Sequence, residues 1–281
     1  MTDPARQAPA RGPAIERAFA SLSVGQVHYA SCGAASAPPV LLLHQSPRSW
    51  REYRDVLSLL GARYRAIAMD TAGFGDSAPC ADPPTIERWA AVAVELLDAL
   101  GIDRAAVVGH HTGGVIAIEL AARHGARVHA LVLSSTPWID AEARRARAAH
   151  PVVDEIDASG DGSHLLALWR NRAGFYPPER PDLLEAFVLD ALRAHGGPAA
   201  GHRVVAAYEM ERRIGAIAQP TLVVCADRDP FASPHAPALQ SRIAGARLAT
   251  IAGGMVPLPD QLPGAFADAV AAFLAQQPAW R

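Results

Sequence analysis

The residues best placed to do chemistry are Gly109-His110-His111-Thr112-Gly113. An apolar run, Ala105–Val108, leads into them, and a helical pattern, Val115–His124, follows. A tight strand-to-helix turn needs small residues two before and two after its apex, and Gly109 and Gly113 meet that need around His111. The apex side chain is therefore an imidazole. It can act as a base, a nucleophile or a ligand. The following helix N-terminus offers backbone N–H groups to a developing anion. Asp229, before Pro230, lies in the loop after a second apolar run, Thr221–Cys225, and is a further candidate carboxylate. Its bland alternative is a cap on the next helix.

Other chemistries find less support. His44, His110 and His111 invite a metal reading, but adjacent residues on a strand face opposite ways, so His110 and His111 do not converge on one ion. No metal is expected. Gly73-Phe74-Gly75 lacks the third glycine and the strand-to-helix placement of a dinucleotide loop. No P-loop and no His-Glu-x-x-His occurs. The expectation is chemistry without a cofactor.

Positioning these groups falls to alternating strands and helices, the pattern of a mostly parallel sheet covered by helices. Ile15–Val24 and Val27–Cys32 read as a hairpin turning at Gly25-Gln26. Pro39–Leu43 is apolar throughout, as expected of a strand buried on both faces. A helix over Trp50–Leu60, a strand over Tyr64–Met69 and a helix over Thr85–Leu100 follow. In the last of these, Ile86, Trp89, Val92, Leu96 and Leu100 recur at helical spacing. After the strand Val128–Leu133 the strand pattern stops. From Trp138 to Gly215 only helical patterns remain, over Asp140–His150, Ser163–Arg172, Pro181–His195 and Gly201–Ile214. Strands resume at Thr221–Cys225 and Arg247–Ile251, and a helix over Leu262–Leu274 closes the chain.

With 281 residues, half of them apolar and 19% charged, the chain can bury a large core without staples. Its formal net charge of −2 gives no electrostatic reason to expect nucleic acid or an anionic membrane as partner. Cys32, Cys80 and Cys225 are scattered and odd in number, as reduced core thiols are. Residues 1–13 are polar, lack the apolar stretch of a signal peptide and read as a disordered tail. No apolar run approaches the roughly 18 residues needed to span a bilayer. The expected location is the cytoplasm, the expected partner a small-molecule substrate, and the oligomeric state is open.

Four stretches together resemble the α/β-hydrolase family. Leu41-Leu42-Leu43-His44-Gln45-Ser46-Pro47 resembles its apolar strand ending in His-Gly-x-Pro. Asp70-Thr71-Ala72-Gly73-Phe74-Gly75-Asp76-Ser77 resembles its Asp-x-x-Gly-x-Gly-x-Ser loop. Gly109–Gly113 stands where the family has the Gly-x-Ser-x-Gly elbow of its nucleophile, and Cys225–Asp229 resembles the strand end that supplies the catalytic acid. The resemblance implies an α/β fold with a central mostly parallel sheet. The core would be residues 14–137 and 216–281, and a helical lid, residues 138–215, would be inserted after the sixth strand. It also implies an oxyanion hole from the N–H groups of Ser46 and Thr112, with Gln45 replacing the family's glycine.

Two of the family's three catalytic positions differ. His111 replaces the serine. Gly254-Met255-Val256-Pro257 matches the family's Gly-His-x-Pro with Met255 in place of the histidine. Only the acid, Asp229, remains, so a Ser-His-Asp relay cannot operate. An imidazole on the elbow would project into the space of the usual catalytic ring and reach Asp229 directly, while methionine fills the vacated volume. The expected catalytic unit is a His111–Asp229 dyad acting as general base on a carbonyl compound, in a lyase, cyclase or isomerase reaction or in hydrolysis by an activated water. The alternatives are an ester or lactone hydrolase with His111 as nucleophile, and a non-catalytic protein that binds a ligand under its lid. Trp138, Trp169, Tyr176, Tyr208 and Met255 are the expected substrate contacts.

Overall fold

The computed structural model describes residues 13–280. The expected tail, residues 1–13, thus lies outside them except for Pro13. In chain order the elements are β1 (Glu16–Leu22), β2 (Gly25–Cys32), β3 (Pro39–Leu43), α1 (Arg54–Leu60), β4 (Arg65–Met69), α2 (Ile86–Ala99), β5 (Ala105–His110), α3 (Thr112–Arg123) and β6 (Val128–Ser134). Then come α4 (Ala141–Ala148), α5 (Ser163–Ala173), α6 (Pro181–Arg193) and α7 (Ala200–Ala207). The chain returns to the sheet through β7 (Thr221–Ala226), α8 (Ala236–Arg242) and β8 (Arg247–Ile251), and ends in α9 (Leu258–Gln261) and α10 (Pro263–Leu274).

The eight strands form one sheet in the order β1-β2-β4-β3-β5-β6-β7-β8. β1 and β2 pair antiparallel, as do β2 and β4, and every later pairing is parallel. Because strand side chains alternate faces, the sheet separates two cores. Leu41 and Leu43 join Val107, Leu131 and Leu133 on the face covered by α2 and α3. Val40 and Leu42 join Val108, Val132 and Val224 on the face covered by α1 and α10. All of β3 is buried, so the apolar Pro39–Leu43 run is used on both sides. Each fully buried leucine there contributes roughly 1.5–3 kcal/mol over an exposed one.

Several boundaries move for local reasons. The hairpin turns at Ser23-Val24, not at Gly25-Gln26, and Leu22 pairs with Gly25. Gly25 takes φ +110, which a glycine tolerates at the entry to β2. Trp50–Tyr53 winds as a 3₁₀ turn before α1 begins. Thr85 caps α2 by accepting from the Arg88 N–H, and Asp140 caps α4 by accepting from the Ala143 N–H, so each lies just outside its helix. The pattern over Gly201–Ile214 is α7 followed by two short 3₁₀ turns. Helices α8 and α9 were not expected. Between β6 and β7 no strand forms among the described residues, so the interval after the sixth strand is helical as the pattern implied.

Candidate active site

The elbow between β5 and α3 is built by close backbone approach. A β-carbon on Gly109 would lie 2.2 Å from the Gly113 carbonyl oxygen, and one on Gly113 would lie 1.9 Å from the Leu43 carbonyl oxygen. His111 sits at the apex with φ 47 and ψ −111, a sparsely populated conformation for a residue with a side chain. Its N–H donates to the Ser134 carbonyl at 3.0 Å, and its own carbonyl accepts from Gly114 and Val115. The surrounding backbone thus imposes the strained geometry and lifts the imidazole off the sheet.

Asp229 follows β7 and is fully buried. One carboxylate oxygen accepts from the Phe231 N–H at 3.0 Å. The other, Oδ2, lies 2.7 Å from Nε2 of His111. Neither of these two atoms has an aligned hydrogen-bond partner, so the approach is a close polar contact rather than a linear hydrogen bond. Burial raises the Asp229 carboxyl, but the facing His111, with His110 and the Phe231 N–H, together hold the acid below its ordinary range. A carboxylate this close must face a ring N–H, since two lone pairs would repel. The proton then sits on Nε2, and Nδ1 is the basic nitrogen.

His110 does not turn to the opposite side: its ring lies edge-on against that of His111, centroids 4.7 Å apart, and its nitrogens are occupied by structural bonds. Its Nε2–H donates to the Val256 carbonyl at 2.9 Å, and its Nδ1 pairs with the Ser134 hydroxyl at 3.0 Å. Burial pulls its pKa down to about 3, so the ring is neutral. Through Val256 it ties the loop containing Met255 to the elbow. His44 is likewise occupied: Nδ1–H donates to the Gln45 carbonyl at 2.8 Å, and Nε2 accepts from the Thr71 N–H at 3.0 Å.

The loop after β3 is held from beneath. Buried Glu52 accepts from the backbone N–H of Gln45 at 2.9 Å and from its side-chain amide. Arg48, also buried, donates Nε to Asp190 of α6 at 3.0 Å and contacts Asp260 of α9 at 2.7 Å. One arginine thereby joins the loop, the helical insertion and the C-terminal helices. Among the described residues, no acceptor receives the N–H of Ser46 or of Thr112.

A cavity of about 340 Å³ opens above the elbow. Gln45, Ser46, His111 and Thr112 form its floor, and Arg147, His150, Arg172 and His202 bring polar groups from the insertion. Val152, Val153, Val205 and Phe231 are among its apolar walls. The five expected substrate contacts are not among the residues lining it. Trp138 donates Nε1–H to Asp140 and lies under the Arg242 guanidinium, 4.2 Å from the ring centroid. Trp169 and Tyr176 pack in the insertion's own core with Phe187. Tyr208 turns toward α3 and donates its hydroxyl to Glu119 at 2.7 Å. Met255 is half-buried, with its backbone N–H on Gln261. Large aromatic rings at helical spacing here stabilise the insertion rather than face the cavity.

Two groups that the sequence did not point to are Glu52 and the Asp154–Arg172–His202 cluster. Asp154, at φ 63, receives Arg172 Nε at 2.8 Å and lies 3.0 Å from His202 Nε2. The partners hold its carboxyl down to about 2, although burial opposes this. The Arg170-Asn171-Arg172 run was the only local sign. Its partners lie 18 residues before and 30 residues after Arg172, with no spacing to connect them. His28, Asp70 and Asp76 bring ligand atoms within 4.8 Å of one another. Arg17 fills that position, at 3.0 Å from His28 and 2.5 Å from Asp76, and Arg193 also pairs with Asp76.

Comparison with known proteins gives a consistent family signal. A family model described as the alpha/beta hydrolase fold matches residues 38–250. The chain is 37% identical to haloalkane dehalogenase 2 of Mycobacterium tuberculosis over 115 residues, 41% of this chain and 40% of that protein. It is 35% identical to bifunctional epoxide hydrolase 2 of Rattus norvegicus over 118 residues, 40% of this chain and 20% of that protein. The chain therefore matches well under half the length of these relatives. Among solved structures, a hydrolase from Pseudomonas aeruginosa PA01 superposes with a TM-score of 0.78 at 26% identity, covering 92% of this chain and 98% of the other.

Proposed function

Since this chain belongs to the alpha/beta hydrolase fold family, whose relatives named above are hydrolytic enzymes, we propose that it hydrolyses a small carbonyl compound, an ester or lactone, with a water activated by His111 and Asp229. The observation that carries this reading is the 2.7 Å approach of His111 Nε2 to Asp229 Oδ2 at the floor of a cavity. With Nε2–H facing the carboxylate, Nδ1 takes a proton from water as the water oxygen attacks the carbonyl carbon. The N–H groups of Ser46 and Thr112 receive the developing oxyanion. When the tetrahedral species collapses, the C–O bond to the leaving group breaks and Nδ1 returns the proton to the departing oxygen. The sum is ester plus water to acid plus alcohol, with no covalent enzyme intermediate and no cofactor. The partner is a small molecule, and the reaction suits a cytoplasmic enzyme.

General-base assistance of this kind is worth about 10²–10⁴-fold, and each oxyanion donor about 2.7–4 kcal/mol. A panel of small esters and lactones turned over in ¹⁸O-water tests the reading. The expected result is one solvent oxygen in the acid product, no adduct on rapid quench, and loss of turnover in His111→Ala. An acyl group trapped on His111 would replace the activated-water step with nucleophilic attack. Turnover that survives His111→Ala would remove the dyad from the reaction.

A further inference from the structure

The cavity walls carry an uneven charge. Arg147, Arg172, His150, His202 and His111 line the cavity, and none of its lining residues is Asp or Glu. Three of these five groups already face a carboxylate behind the wall. Arg172 is bound by Asp154, His202 lies against the same carboxylate, and His111 faces Asp229. Both carboxylates are fully buried, so they serve the residues in front of them and not the cavity.

Arg147 is different. Among the described residues no carboxylate lies within ion-pair distance of it, and its side chain has no hydrogen-bond acceptor. Its neighbour on α4, Arg144, shows the contrast, with two nitrogens on Glu211 at 2.7 and 2.5 Å. Arg147 is only partly exposed, and burial alone lowers its pKa. A guanidinium stays charged even so. An unpaired, partly desolvated cation costs free energy that an incoming anion would recover. His235 stands nearby, and an imidazole is either neutral or cationic, so it supplies no negative charge.

The geometry points to a substrate that carries a carboxylate besides the bond that is cleaved, with Arg147 holding that carboxylate and the apolar wall of Val152, Val205 and Phe231 packing the hydrocarbon between. Planar guanidinium and carboxylate groups match in two parallel hydrogen bonds, which gives orientation as well as affinity. The assignment rests on the proposed reaction for the identity of the reacting group, but the anion site itself does not.

Calorimetric titration with hexanoate and its neutral counterpart hexanamide, at about pH 8 where ordinary histidines are neutral, tests this. The wild-type protein is expected to bind hexanoate at least about tenfold more tightly than hexanamide. Arg147→Met should abolish the preference without weakening hexanamide, and Arg147→Lys should keep part of it. Arg145→Met, an exposed change on the same helix, should leave it intact. His111→Ala should keep the preference, so a failed reaction scheme would not be mistaken for a failed anion site. Equal binding of the two probes, a preference that survives Arg147→Met, or no hexanoate binding up to about 20 mM would each overturn the proposal.

Discussion

Gly201 of α7 passes so close to Ser46 that a β-carbon on it would lie 2.0 Å from the Ser46 hydroxyl oxygen and 2.4 Å from the Ser46 β-carbon. The helical insertion is therefore seated directly on the loop whose N–H group is proposed to bind the oxyanion. The hydroxyl could rotate away from an added methyl group, but the β-carbon could not. Gly201→Ala should cost about 1–3 kcal/mol of stability by overpacking and should lower turnover by displacing α7 or the loop. Urea unfolding and steady-state rates check this. A variant unchanged in both would mean that the insertion is free to shift.

Asp229→Asn keeps the shape of the side chain and removes its charge. The amide can no longer fix Nε2 as the protonated nitrogen, because it can present either a donor or an acceptor to the ring. Turnover should fall by about 10²–10⁴-fold while the fold survives, as measured by kinetics beside circular dichroism. An active variant with wild-type rate would show that the carboxylate only anchors its loop through the Phe231 N–H.

No hydroxyl occupies the elbow apex, so a fluorophosphonate that labels activated serines should not modify the peptide around Gly109–Gly114. His111→Ser alone should not create an esterase, because Met255 cannot take the serine proton. His111→Ser with Met255→His would supply the missing relay. Intact-protein mass spectrometry after labelling separates the three proteins. Labelling of the wild type, mapped to this peptide, would contradict the assignment of His111 as the reacting group.

Asp260 faces Arg48 at 2.7 Å, yet its pKa is raised to about 7, chiefly by burial and further by the charge of Glu52. Because the folded value lies above the ordinary carboxyl value of about 3.9, the stabilisation from the protonated form is complete below about pH 4. It is lost as pH rises through about 7. Asp260→Asn removes the cost of ionisation, so its stability relative to wild type should be more favourable at pH 8 than at pH 5. Denaturant midpoints at the two pH values decide the matter. An equal difference at both would mean that Asp260 ionises without cost.

The chain's local patterns determined the architecture. The all-apolar Pro39–Leu43 run reads as a doubly buried strand, and Gly109 and Gly113 read as the flanks of a tight turn, where the structure shows that any β-carbon would meet backbone. Histidine at the apex and an aspartate after β7 were legible as types and positions, because each is fixed by the element that carries it. What approaches what was a tertiary matter. The 2.7 Å separation of His111 and Asp229 depends on β5 and β7 being two strands apart in one sheet with matched ends. The aromatic residues of the insertion do not line the cavity as their spacing suggested, because helical spacing says that a ring is buried, not which side of the helix meets the cavity. Asp154, Arg172 and His202 converge from a loop and two helices, and Arg147 stands unpaired only because the packing of α4 gives it no carboxylate. Charge compensation depends on distances between elements, and those distances are set by packing rather than by spacing along the chain.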